Sequence, residues 1–251
     1  MIKNGKTALL LGHRGYRARF PENTLLGVRK AFEFGADGVE CDLQKTSDDR
    51  YVVIHDPSVE RVAGVAGELQ SLTFDQLRRV DVGGGERIPK LSELLAAIPR
   101  GKYLDLELKG ETLAETDCAP IASILSSLID RTDLMISSFE PRLLFPFKSM
   151  GYTIGLLVGE RLMSRGIASV AAEVLALRPQ YLNLPVGIFS ALGTGRSRLL
   201  LRLLRAFGAR FLFWTVNTVE DVRLVMDQAN IVVTDEVEKM LQPRNPQWSG
   251  S

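Results

Sequence analysis

The chain holds two histidines, His13 and His55, and each stands where an apolar run breaks into a loop: Leu9-Leu10-Leu11-Gly12-His13-Arg14-Gly15 and Tyr51-Val52-Val53-Ile54-His55-Asp56-Pro57. Two carboxylate pairs at alternate positions accompany them, Glu40-x-Asp42 and Asp105-x-Glu107, and the second leads directly to Lys109. Side chains two residues apart on a strand share a face, so each pair can aim at one point. Imidazoles exchange protons near neutral pH. Clustered acidic oxygens can hold a hard divalent cation, and Arg or Lys can grip a phosphate. Together these groups describe chemistry on a phosphate ester.

Residues so far apart in sequence need a frame that brings them together. Apolar runs of strand length alternate with amphipathic stretches of helix length along the chain. Strands are expected at 8–13, 38–44, 51–55, 103–109, 134–139, 153–158, 181–186, 211–217 and 231–234. Helices are expected at 24–35, 73–80, 91–98, near 118–130, from Pro141 onward, at 167–177, 198–207 and 218–229, with a short one at the end. About eight strand-then-helix units in about 240 residues match a (β/α)₈ TIM barrel. A doubly wound open sheet is the alternative, but no glycine-rich dinucleotide fingerprint follows the first strand. We expect a single domain over 1–242, with a short insertion at about 57–90 after the second barrel strand, and a frayed tail at 243–251. Active sites of such barrels lie at the C-terminal ends of the strands, where His13, Glu40, Asp42, Glu107 and Lys109 fall.

Strand alternation sends Val39, Cys41 and Leu43 toward the helices and Glu40 and Asp42 into the barrel, where unpaired charge is costly. Glu107 from the next strand brings three carboxylates to one mouth. Without a cation they would repel, and one would take a proton. One divalent cation, Mg²⁺ or Ca²⁺, is the simplest resolution; a salt-bridge network is the alternative. With a phosphodiester added, Arg14 and Lys109 bring the formal charge to zero, although Lys109 could instead pair with Asp105 or Glu107. His13 and His55 suit in-line displacement at phosphorus, one handling the nucleophile and the other the leaving alkoxide.

Composition narrows the remaining classes. Hydrophobic residues make up 45% and charged residues 24%, which suits a globular domain with a sizeable core. A net charge of +1 gives no basic excess for nucleic acid. The segment Arg196-Ser197-Arg198 through Arg202 and Arg205 is locally basic, with leucines between its arginines. It reads as a solvated helix face rather than a contact with an anionic membrane. Cys41 and Cys118 form no disulfide framework, and Cys41 should be a buried, inert thiol. The first apolar run is too short and too soon charged for a signal peptide, and no later run reaches a membrane span. A cytoplasmic protein without stable membrane insertion is the expectation.

His13-Arg14-Gly15, Pro21-Glu22-Asn23-Thr24, Glu40-Cys41-Asp42, His55-Asp56 and Glu107-Leu108-Lys109 resemble the motif series of glycerophosphodiester phosphodiesterases. Ile88-Pro89-x-Leu91, Ser137-Ser138-Phe139, Trp214-Thr215-Val216-Asn217 and Thr234-Asp235 continue the likeness in order over nearly the whole chain. Each string alone is weak evidence; the series is specific. The resemblance implies metal-dependent hydrolysis of small-molecule glycerophosphodiesters to sn-glycerol 3-phosphate and an alcohol. It implies His13 and His55 as the acid/base pair and Glu40, Asp42 and Glu107 as metal ligands. Arg14 and Lys109 would contact the phosphate, and Trp214 would line the pocket or pack behind its strand. Glu22 and Asn23 would shape the first loop. A phospholipase D-like or sphingomyelinase D-like barrel acting on lysolipids is the near rival; a metal-dependent barrel lyase, with Gly193-Thr194-Gly195 as its phosphate loop, is a more distant one.

Overall fold

A computed structural model describes residues 2, 3, 6–159 and 165–241. Eight parallel strands run in sequence order around a closed ring: β1 (Leu9–His13), β2 (Gly38–Lys45), β3 (Tyr103–Leu108), β4 (Leu134–Ser138), β5 (Thr153–Leu157), β6 (Tyr181–Pro185), β7 (Arg210–Trp214) and β8 (Ile231–Thr234). Each pairs with the next, and β8 closes on β1. The ring is the (β/α)₈ barrel, and an open sheet is excluded. Tyr51–Val53, within the strand expected at 51–55, pairs antiparallel with the end of β2 and forms a hairpin with it.

Alternation along the strands divides the core in two. Val39, Cys41 and Leu43 of β2 and Leu104, Leu106 and Leu108 of β3 face outward into the main apolar cluster, with Val28, Ala31 and Leu94 from the surrounding helices. Cys41 is fully buried there, as expected for an inert thiol. Leu11, Met135, Leu212, Ile231 and Val233 face inward and plug the barrel floor. Above that plug the inward positions become polar: Glu40, Asp42, Asp105, Glu107, Ser137 and Asn183 are all buried. The strand–helix layer and the apolar floor together supply the burial free energy, and the polar layer occupies the end where barrel loops can reach it.

The register of β2 against β3 is tightly set. A Cβ on Gly38 would lie 2.2 Å from the Tyr103 carbonyl oxygen, so only glycine fits. That approach aligns Glu40 with Asp105 and Asp42 with Glu107. Helix starts follow the sequence signals: Thr24 accepts from the Gly27 N–H, Thr218 accepts from Asp221, and Thr73 with Gln76 forms a capping box.

The differences from expectation lie in the connections. The helix expected at 198–207 begins a turn earlier and spans Thr194–Ala206, after an extra short helix, Ile188–Leu192. The helix expected at 73–80 is one turn, Phe74–Leu77, because Asp81 accepts from the Gly83 and Gly85 N–H groups and turns the chain. Two more turns, Glu60–Ala63 and Leu69–Ser71, complete the insertion. It folds over its own small core of Val52, Ile54, Val59, Leu69, Phe74, Leu77, Val82 and Ile88. The expected tail lies outside the described residues. Among the described residues no helix is long and apolar enough to cross a membrane.

Candidate active site

β2 and β3 lie side by side and carry Glu40, Asp42 and Glu107 inward, where ligand oxygens from the three carboxylates lie within 4.8 Å of one another. Their environments differ. Asp42 accepts from Asn23 Nδ2 at 2.8 Å and pairs with Lys109 Nζ at 2.9 Å and Arg14 Nε at 3.3 Å. Burial opposes its ionisation, but the Lys109 and Arg14 charges outweigh it and hold the carboxyl far below the usual range. Glu107 pairs with Lys109 Nζ at 2.5 Å, yet burial and the Asp42 charge push it up to about 7. Glu40 is raised well above its ordinary value by burial and by repulsion from Asp42 and Glu107. Its Oε2 accepts from the Arg14 N–H at 3.1 Å, while Oε1 is buried without a hydrogen-bond partner. A buried acidic cluster with one orphaned oxygen fits a hard divalent cation. These three carboxylates could bind one.

The histidines flank this cluster. His13, at the end of β1, points Nδ1 at Asp235 Oδ1 (2.7 Å), and its Nε2 lies 3.8 Å from Glu40 Oε2. His55, after the hairpin strand, points Nδ1 at Asp56 Oδ1 (2.5 Å), and its carbonyl accepts from Gln44 Nε2. An ionised carboxylate only accepts, so in both rings Nδ1 carries a hydrogen and Nε2 is left for chemistry. Burial, with Lys109 and Arg14 nearby, lowers the His55 pKa. Burial would raise Asp235, but His13 and the donating Asn217 amide (2.8 Å) bring it down to about 2.

An arginine network ties the loops together. Arg14, in a left-handed conformation (φ 54°), donates to Glu22 at 2.9 Å. Glu22 also pairs with Arg17 at 3.0 Å and with Arg61 of the insertion. Arg61 reaches Asp56 as well, so the insertion touches both the His55 partner and the first loop.

A cavity of about 390 Å³ opens over the cluster, lined by His13, Arg14, His55, Lys109 and Trp214 among others. A second, of about 340 Å³, continues outward past His55, Lys109 and Phe139 toward Glu111 and Glu173. Trp214 therefore lines the mouth rather than packing behind its strand, with Phe139 edge-on at 5.9 Å. All eight residues singled out from the sequence gather at this end of the barrel. Asp235, Phe139 and Arg61 were not assigned parts. Asp235 stands one residue beyond β8, the strand that closes against β1, and that adjacency was the available signal. Gly193-Thr194-Gly195 leads into a helix and lines neither cavity.

Residues 13–239 match the Glycerophosphoryl diester phosphodiesterase family. The chain belongs to that family. It is 30% identical over 245 residues to a glycerophosphodiester phosphodiesterase of Caldanaerobacter subterraneus subsp. tengcongensis, covering 93% of this chain and 96% of that one. It is also 30% identical to the glycerophosphodiester phosphodiesterase of Thermotoga maritima, whose crystal structure superposes with a TM-score of 0.81 over 95% of this chain and 99% of that one. An Oleispira antarctica phosphodiesterase solved with sn-glycerol-3-phosphate shares the fold at 23% identity, with a TM-score of 0.81 over 93% of this chain and 95% of that one. This phosphodiesterase is thus a phosphoric diester hydrolase that converts glycerophosphodiesters to glycerol 3-phosphate.

Proposed function

We propose that the mouth of the barrel hydrolyses the phosphodiester with one divalent cation, Mg²⁺ or Ca²⁺, held by Glu40, Asp42 and Glu107, and with His13 and His55 as the proton-transfer pair. The observation that carries this reading is the placement of two carboxylate-oriented imidazoles beside one buried acidic cluster. When bound, the cation would neutralise charge on the nonbridging phosphate oxygens. Asn23 and Lys109 fix the Asp42 carboxylate, and Lys109 and Arg14 supply the cationic side of the phosphate pocket.

The two cavities support a division of the substrate between them. His13 and Trp214 line only the inner one, which suits the glycerol moiety, the indole covering its carbon face. The product found in the Oleispira relative is the molecule such a lobe would retain. His55 lines both cavities and stands where the leaving alcohol would pass outward. In its imidazolium form, with hydrogens on both ring nitrogens, His55 would give its Nε2 proton to the departing alkoxide, and the lowered pKa makes that form the stronger acid though the scarcer one. His13 Nε2 takes the proton from the attacking water, or from a glycerol hydroxyl in a route where water then opens the cyclic phosphate, and Asp235 steadies the imidazolium that forms.

The test is to incubate the protein with glycerophosphocholine and glycerophosphoethanolamine, with and without chelator, and follow release of glycerol 3-phosphate. Release that stops with chelator and returns with Mg²⁺ or Ca²⁺ is expected. Full activity in chelator, with metal content verified as nil, would remove the cation from the mechanism.

A further inference from the structure

The basic segment singled out in the sequence does not fold as a simple solvated face. In the helix Thr194–Ala206, Ser197 and Leu201 point inward, while Leu199 is 61% exposed and Leu203 54% exposed. Phe207, the next residue on that side, is 90% exposed. Positions 199, 203 and 207 repeat every four residues, so they form one outward stripe. Arg196, one turn before Leu199 and on the same face, and Arg202, beside the stripe, are exposed, and neither makes an ion pair with another described residue. The helix contains no acidic residue. Arg205, by contrast, is used by the fold: it donates to the Gln228 carbonyl and lies over the Phe211 ring.

The helix Ile167–Leu177, of the preceding barrel unit, is apolar on its exposed side as well. Its exposed positions include Ala168, Ala171, Ala172 and Leu175, the last 73% exposed, and its one charged side chain, Glu173, is half-buried at the outer cavity. A solvated helix would turn its leucines inward and its charges outward. An outward run of Leu, Leu and Phe with exposed arginines among and beside them, unpaired among the described residues, instead has the layout of a helix lying in a membrane interface.

We propose that the face formed by Leu199, Leu203 and Phe207, with Arg196 and Arg202 beside them, docks this enzyme reversibly on an anionic lipid surface. Charge complementarity selects the occupant. Two copies meeting through this face would bring arginines together with no carboxylate on the helix to offset them, whereas anionic headgroups offset them directly. Docking of this kind needs no spanning segment. A glycerophosphodiester has the structure of a phospholipid that has lost both acyl chains, so the reaction that supplies it is ester hydrolysis at a lipid surface.

The test is co-sedimentation of the full chain with vesicles of phosphatidylcholine alone or mixed with phosphatidylglycerol, with size-exclusion chromatography in parallel. The protein should pellet with the mixed vesicles only, and release at about 1 M salt, where screening acts within about 3 Å. Each arginine near such a surface is worth roughly fivefold in affinity, so Arg196→Gln with Arg202→Gln should weaken binding about 25-fold. Leu199→Gln with Leu203→Gln should abolish pelleting, and both double variants should keep wild-type turnover of soluble substrate, which shows that they fold. Equal pelleting with both vesicle types, none with either, or a dimer that the leucine variant splits would overturn the proposal. Vesicle binding is read without turnover, so its failure is distinct from failure of the catalytic reading.

Discussion

Arg61 forks onto Glu22, Nη2 donating to Oε1 at 2.6 Å and Nη1 to Oε2 at 3.1 Å, while its Nε donates to Asp56 Oδ2 at 2.5 Å. One guanidinium from the insertion thereby fixes the carboxylate that orients His55 and the carboxylate that anchors Arg14. Arg61→Met should lower kcat by about 10- to 100-fold through misplacement of these groups, with a smaller change in KM. Arg61→Lys keeps the charge but loses the fork, so it should recover only part of the rate. Steady-state kinetics of the two variants check this; equal loss in both would mean that the fork geometry is irrelevant.

Glu22 also makes stability depend on acid. Burial would raise its pKa, but hydrogen bonds and charge from Arg61 and Arg14 lower it from 4.5 to about 2. The folded state therefore binds the proton less readily than the unfolded chain. The stabilisation is fully present above about 4.5 and is lost as pH falls toward about 2, an effect on the order of 3 kcal/mol. Glu22→Gln should lower the melting temperature at neutral pH and flatten its fall below about pH 4.5. Thermal unfolding across that range measures it.

Glu40→Gln removes a charge from the acidic cluster while keeping its size. Cation affinity should drop by more than the about 10- to 100-fold that changes around a ligand shell cost, and turnover should recover in part at high cation concentration. Calorimetric titration of Mg²⁺ and Ca²⁺ into both proteins is the check. Unchanged affinity would place the cation elsewhere.

His13→Ala and His55→Ala should each cost about 10²–10⁴-fold on glycerophosphocholine. A substrate with a p-nitrophenolate leaving group needs little protonation as it departs. It should be turned over almost normally by His55→Ala and remain slow with His13→Ala. The reverse pattern would exchange the two roles, and rescue of both or neither would contradict the division itself.

Most of the barrel was legible because apolar runs of strand length alternate with stretches of helix length, several of which start at Thr or Pro. The candidate residues were legible because Glu40, Asp42 and Glu107 put charge on alternate positions of otherwise apolar strand runs, so that it must share one face. Contacts created by ring closure were not. His13 and Asp235 stand 222 positions apart and meet only because β8 pairs with β1. Arg61 sits in a segment whose turns follow no helical period, so nothing local announced its reach to Glu22. The helix Thr194–Ala206 is so rich in leucine that the pattern alone could not say which leucines turn inward.

The packing of Gly38 against Tyr103 has a consequence for how chain length can change. With β2 locked to β3 at that point, adding one residue between Val39 and Asp42 would shift the later side chains to the opposite face. A carboxylate would enter the apolar wall, and a core residue would enter the mouth. Two added residues would restore the phase but displace Asp42 from Glu107 along the barrel axis. Indels on this strand are therefore barred by parity and by reach together. Length is free to vary only beyond Lys45 and Lys109, in the loops above the mouth, where the small self-cored insertion already sits.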